Sequence, residues 1–205
     1  VTIFFLAVLG YIFWFLASVL ADGPGGVTVL HLFFASPFFW MVLLVVVPVL
    51  TMRLVAEEKR SGTMETLLCA PVTDAQVVLA KYAGVLTFYV AMWVPTLCYV
   101  FVLRRFSAVM APPDLQALAT GYAGVLLVGA FYLSMGLFSS ALTSNQIIAA
   151  ILCFALTSLT FFAGFLETLG HSELVRRIGA YVSSYTHVYD FSRGVLDSRP
   201  VVFYL

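Results

Sequence analysis

Charge is what this sequence has least of. Charged residues make up 10% of 205, against roughly a quarter in an ordinary soluble domain. Ten basic and ten acidic residues cancel to a net charge of zero. That balance provides no basic surface for nucleic acid and no acidic tail for a basic partner. Cysteine is scarce too: Cys69, Cys98 and Cys153 are far apart in mostly apolar surroundings, which excludes a disulfide framework and reads as small core residues. The cysteines show no metal-ligand spacing, and the histidines His31, His171 and His187 all fall in segments on the side of the membrane opposite Glu57 and Glu58, so no metal site is expected. No glycine-rich loop followed by Lys-Ser or Lys-Thr occurs, so the chain is not expected to bind ATP itself. No signal peptide is visible, because Val1 already lies in an apolar run without a Met or a basic flank. That start, and the five apolar residues after Pro200, predict a chain trimmed at both ends.

What is present is apolar. The hydrophobic fraction is 62% and the mean hydropathy +1.06, more apolar surface than a soluble domain of this length can hide. The sequence predicts an all-α, polytopic membrane protein. Val1–Ala21 holds 21 uncharged residues, about 31 Å of helix and enough to cross a bilayer core. Asp22-Gly-Pro-Gly-Gly reads as a turn. Phe33–Met52, with Pro37 and Pro48, is the second predicted span, and Tyr82–Leu103, with Pro95, the third. Leu115–Leu166 has 52 residues and no charge, about 78 Å if it were one helix. It is therefore divided at the polar run Ser139–Gln146 into spans over Leu115–Phe138 and Ile147–Leu166.

Polar punctuation frames these spans. Thr73-x-x-Gln76 and Thr143-x-x-Gln146 both read as capping boxes, each satisfying orphan backbone donors at a helix start. With alternating spans, both boxes fall on one side of the membrane. Glu167–Pro200 is a polar segment in which Tyr181, Tyr185 and Tyr189 recur every four residues. The spacing predicts a short interfacial helix with its rings at headgroup depth, stopped by Gly194. Pro200 is expected to open a sixth span. Glycine and small residues of the fourth span, Gly121, Gly124, Gly129, Ala130 and Ser134, predict close packing within the membrane rather than substrate contact.

The most informative stretch is Arg53–Lys81, a charged, capped segment between two uncharged runs. Arg53 through Arg60 is predicted to continue the second span as a helix, with Arg53–Glu57 and Glu57–Arg60 at pairing distance on its surface. Such exposed pairs contribute only about 0.3–0.5 kcal/mol each and define no site. Ser61-Gly62 breaks this helix, and Thr63 can cap a short one over Met64–Cys69 with Glu65 in its first turn. Ala70-Pro71 ends it. The short helix presents Met64, Leu67 and Leu68, an apolar tip suited to a groove on another protein. The plain alternative is a solvated loop lying on the headgroups.

The run Met52-Arg53-x-x-Ala56-Glu57-Glu58-Lys59-Arg60-Ser61-Gly62-Thr63-Met64-Glu65-Thr66-Leu67-Leu68-x-x-Pro71-Val72-Thr73-Asp74 resembles the first cytoplasmic loop of ABC-2-type permeases. Leu142–Gln146 and His187-Val-Tyr-Asp-Phe-Ser-Arg-Gly-Val-Leu-Asp-Ser-Arg extend the resemblance, which is nearest to the gliding-motility-type permeases and covers essentially the whole chain. The resemblance implies a six-span half-transporter of the ABC-2 exporter type, with five full spans and the start of a sixth in this chain. It implies a single permease domain over 1–205, a cytoplasmic coupling loop over 53–81 and an extracytoplasmic segment over 167–200. The loop would dock on a cytoplasmic ABC ATPase subunit, which would hold ATP and Mg, through Glu57, Glu58, Arg60, Gly62, Thr63, Met64, Glu65, Leu67, Leu68 and Pro71. A second permease copy or a paralogue would complete a dimer among the lipids of a bacterial cytoplasmic (inner) membrane. An amphipathic or lipid-linked cargo suits the apolar, aromatic bundle. The basic residues give the opposite orientation: Arg53, Lys59, Arg60 and Lys81 on one side are outnumbered by Arg104, Arg105, Arg176, Arg177, Arg193 and Arg199 on the other. The denser motif decides for a cytoplasmic loop.

Two other classes are weighed against this. An intramembrane protease using Glu-Glu-x-x-x-Arg fails at Gly62, which stands at the Arg position. Glu57 and Glu58 also lie outside the apolar spans, whereas catalytic carboxylates in a membrane face the bundle interior. A non-transporting membrane scaffold or a channel is the other. No predicted span carries an ionisable residue to mark an ion path, and a scaffold has no use for a capped, charged arm. No catalytic residue is expected.

Overall fold

The structure is a computed structural model that describes residues 2–21, 29–63, 73–106, 115–163, 183–192 and 204. Among them there is no strand; the chain is a helical bundle. The first span is α1 (Thr2–Ala21). The second begins as α2 (Val29–Ala35) and restarts as α3 (Pro37–Thr51). The predicted Phe33–Met52 span is thus broken in two at Ser36. A residue before proline is pushed out of the helical region, and Ser36 is extended at φ −66°, ψ 130°. Its hydroxyl then accepts from Phe38 N–H at 3.2 Å, and Pro37 fits the first helical turn, where its missing N–H costs nothing. Pro48 stays inside α3 without ending it.

A turn at 52–55 leads to α4 (Ala56–Ser61). The third span is α5 (Asp74–Trp93), a 3₁₀ turn over Val94–Thr96, and α6 (Leu97–Phe106). Pro95 therefore tightens one turn of the span rather than breaking it. α7 (Leu115–Leu142) runs one turn beyond the predicted Phe138, and its last turn contains Ser139 and Ser140. α8 (Gln146–Phe162) and α9 (Ser184–Ser192) follow.

Among the described residues four helical stretches are long and apolar enough to cross a membrane: Thr2–Val19, Pro37–Ser61, Asp74–Tyr99 and Gln116–Leu142. α8 is apolar but has 17 described residues, about 26 Å. The sixth span expected after Pro200 lies outside the described residues, apart from Tyr204. Six spans thus stay an expectation, and the described residues hold four candidates by length and composition.

α3 is central, packing on α1, α7 and α8, while α5 lies against α7. Aromatic rings fill the half of the bundle around the start of α3. Phe33, Phe34, Phe39, Trp40 and Trp93 are all buried there and joined by ring contacts such as Phe34–Phe39 at 5.7 Å and Phe39–Trp93 at 5.9 Å. The fourth-span glycines are notches for side chains from other helices. A Cβ on Gly124 would meet the Phe191 ring at 2.8 Å, and one on Gly129 would overlap the Tyr89 ring.

The helix that carries the tyrosine stripe also buries a face against the bundle. α9 packs on α7 and α2, and the face it buries carries Ser184, His187, Val188 and Phe191, the i, i+3, i+4, i+7 set of an inward stripe. Tyr185 is half-buried, lies against Trp40 and Phe161 and donates to the Ala35 carbonyl at 3.5 Å. It is held against the bundle by these contacts. Tyr181 lies outside the described residues, as does the side chain of Tyr189.

Candidate functional site

The arm between the second and third spans carries eight of the twenty charged residues, flanked on both sides by uncharged runs. α4 carries Glu57 and Glu58 in its first turn and Lys59 and Arg60 in its last, the arrangement that complements the helix dipole. Gly62 ends it in the left-handed conformation, φ 73°, where a β-carbon would be strained. Ser61 and Thr63 hydroxyls lie 2.8 Å apart, and both donate back to the Glu58 carbonyl, at 3.3 and 3.4 Å. Thr63 is thus engaged with the end of α4. The predicted short helix with Met64, Glu65, Leu67, Leu68 and Pro71 lies outside the described residues.

Of the two surface pairs expected on this arm, Arg53–Glu57 forms at 4.0 Å with both side chains more than half exposed, worth little. The stronger ion pair joins Lys81 to Glu58 instead, at 2.5 Å, with Lys81 only 17% exposed. Lys81 Nζ also donates to the Leu54 carbonyl at 2.8 Å. One ammonium from α5 therefore holds both the turn before α4 and the acid in its first turn. Glu58 Oε2 is enclosed without a hydrogen-bond partner, so Glu58 depends on Lys81 for compensation.

A second tie comes from the far end of α7. Ser140 is fully buried. Its Oγ accepts from the backbone N–H groups of Val55 and Ala56, both at 3.1 Å, and donates to the Met52 carbonyl at 3.2 Å. Lys59 Nζ donates to the Ala141 carbonyl. These contacts put the α4 arm and the α7–α8 turn at the same end of the bundle, as alternating spans require.

The caps at this end differ from each other. Thr73 Oγ1 accepts from Gln76 N–H at 3.4 Å, and Gln76 Oε1 accepts from Thr73 N–H at 3.0 Å, a reciprocal box that starts α5. The pair Thr143 and Gln146 forms no such box. Asn145 is the cap of α8, its Oδ1 accepting from Ile147 N–H at 2.9 Å, and Thr143 Oγ1 accepts from Asn145 N–H at 3.1 Å within the turn. Asn is as good a cap as Thr, and it stands one residue before Gln146, which becomes the first helical residue. The sequence reading also missed Ser140 and the inward role of Lys81. Ser139-Ser140 marked only a break between spans, although a serine pair in the last turn of an apolar helix is itself a signal for an interhelical bond.

Among the described residues no three His, Cys, Asp or Glu side chains cluster to hold a metal. What the arrangement offers is a short charged helix tied to the ends of α5 and α7, in a bundle whose long apolar helices define a multi-pass membrane protein. Residues 27–189 match the family model described as ABC-2 family transporter protein, and the chain belongs to that family. It is thereby a transmembrane subunit of an ABC transporter, a kind of subunit that works with an ABC ATPase partner. No curated protein and no solved structure matches the chain.

Proposed function

We propose that this chain is the permease half of an ABC exporter in a bacterial cytoplasmic membrane, paired with a second copy or a paralogue. Its arm carries the docking segment for the cytoplasmic ATPase, which holds ATP and Mg. Force enters at Met64–Pro71 and passes through Glu57, Glu58, Arg60 and Gly62 into the second and third spans. The cargo class is amphipathic or lipid-linked, in keeping with the apolar, aromatic bundle. The gliding-motility-type permeases are the nearest subfamily by motif. The observation that supports this reading best is the arm: a short charged helix, ended by Gly62 at φ 73°, whose first-turn acid is held by a cation of the next span.

The test is capture and coupling. The tagged chain, expressed with its ATPase subunit, brings that subunit down, and a photocrosslinker at Met64 or Leu67 labels it. Gly62→Val adds about 1–2 kcal/mol of left-handed strain, so the ATPase is expected to bind roughly tenfold more weakly while the bundle remains folded. Glu58→Gln keeps binding but reduces the stimulation of ATP hydrolysis by the permease. A crosslinker that finds only phospholipid, or a bundle that captures no ATPase, favours the scaffold reading instead.

A further inference from the structure

The start of α4 lacks a cap of its own. Val55 occupies the capping position at φ −125°, ψ −37°, with no side-chain hydrogen bond, so the first N–H groups of the helix are without intrahelical partners. Two of these donors, on Val55 and Ala56, converge on Ser140 Oγ, while the Ser140 hydroxyl proton goes to the Met52 carbonyl. One side chain thus satisfies both sides of the elbow between α3 and α4, and it belongs to α7, more than 80 residues further along the chain. Lys59, on the next turn of the arm, reaches the Ala141 carbonyl beside it. Thr51, the last residue of α3, has its hydroxyl 3.7 Å from Cys153 Sγ of α8 and lies where a Cβ on Gly136 of α7 would have to go. The elbow is therefore closed on its inner side by the α7–α8 hairpin.

We infer that Ser140 is a positioning residue that makes the arm and the α7–α8 hairpin one rigid lever, so that force on the docking segment moves the fourth and fifth spans and not only the second and third. The inference rests on the arm being the docking element. An elbow whose N–H groups are satisfied only by α7 cannot turn away from α7 without stranding buried donors, since Val55 and Ala56 are both buried. The remaining tie, Lys81 to the Leu54 carbonyl and Glu58, joins the arm to α5 and not to the hairpin. Ser140 therefore sets the direction in which motion is passed on.

Spin labels at the exposed positions Arg60 and Ser144, in a chain with Cys69 and Cys98 replaced by serine, read the lever directly. In the purified chain the wild-type pair gives one narrow distance, which stays unchanged when the ABC ATPase subunit and ATP are added. Ser140→Ala loses the narrow peak, and ATP then moves Arg60 relative to Ser144. Ser140→Thr, which retains the hydroxyl, restores a single distance. Lys59→Met, a change at an exposed side chain that leaves the core intact, broadens the peak less than Ser140→Ala. A narrow, ATP-independent distance in Ser140→Ala overturns the inference, as does a threonine variant no better than alanine. If Ser140→Ala does not fold, an unbroadened Lys59→Met overturns it. Failure of the wild-type chain to capture the ATPase removes the docking reading but leaves the ATPase-free distances, and hence this test, intact.

Discussion

The two ends of the bundle are held in different ways. At the aromatic end, around the start of α3, Trp40 is fully buried and lies between Phe39, Phe161 and Tyr185, and the cohesion is close packing spread over many ring contacts. At the arm end a handful of directional bonds does the holding: the Ser140 trio, Lys59 to Ala141, Lys81 to Leu54 and Glu58. Close-packed rings resist deformation in every direction, because any displacement opens voids. Directional bonds resist only the motions that break them. The proposed function, in which movement enters at one end, would use this division: a stiff body at one pole, and at the other a joint with few, assignable constraints.

The largest effect is expected at the aromatic end. Trp40→Ala empties a fully enclosed site and strands the Phe34 carbonyl that now accepts from the indole N–H at 3.2 Å. Loss of a buried tryptophan costs about 3–5 kcal/mol. In lipid the cost is felt through lost packing rather than lost burial from water. Thermal unfolding in detergent should show a large drop in midpoint, while the label distance across the arm stays narrow in the fraction that remains folded. A variant that loosens the arm as much as the core would break the contrast between the ends. Gly129→Ala sharpens it. The new methyl would overlap the ring of Tyr89, itself buried and bonded to the Val125 carbonyl at 3.2 Å, so overpacking of about 1–3 kcal/mol is expected, again in the unfolding midpoint and not in the arm.

How much of this was legible depended on the kind of force involved. Four of the spans were readable because uncharged runs of about twenty residues have few other uses, and the arm because its charges interrupt two such runs. The Thr73–Gln76 reciprocal bonds are local, complete within four residues, and sequence spacing captures them. Ser36 shows what spacing blurs: Pro37 announced a kink, and the chain makes a full break there. Asn145 shows competition between two adequate caps two residues apart, which pattern alone does not arbitrate. Ser140 and Lys81 were not legible as site residues, since their partners Val55 and Leu54 are backbone groups in a distant segment and nothing in the sequence names them. The inward face of α9 was hidden for the opposite reason: a strong tyrosine period drew the reading to Tyr185, whereas burial selects Ser184, His187, Val188 and Phe191.

The smallest expected effect isolates a single directional bond at the arm end. Thr73 is exposed, and its hydroxyl is one half of the box that starts α5. Thr73→Ala removes the bond to Gln76 N–H and costs about 1 kcal/mol of local helix stability. Because α5 is anchored further along by Lys81 and by Tyr82, whose hydroxyl donates to the Ala130 carbonyl at 3.0 Å, the loss should stop within the first turn. Amide exchange should quicken for Gln76 and Val77, whose N–H groups now bond to Thr73, and leave residues beyond Lys81 unchanged, with no shift in the global midpoint. Fraying that travels past Lys81 would mean that the cap, and not the ion pair, fixes the third span to the arm. The joint would then extend to the start of α5 and would no longer be confined to the elbow at Ser140.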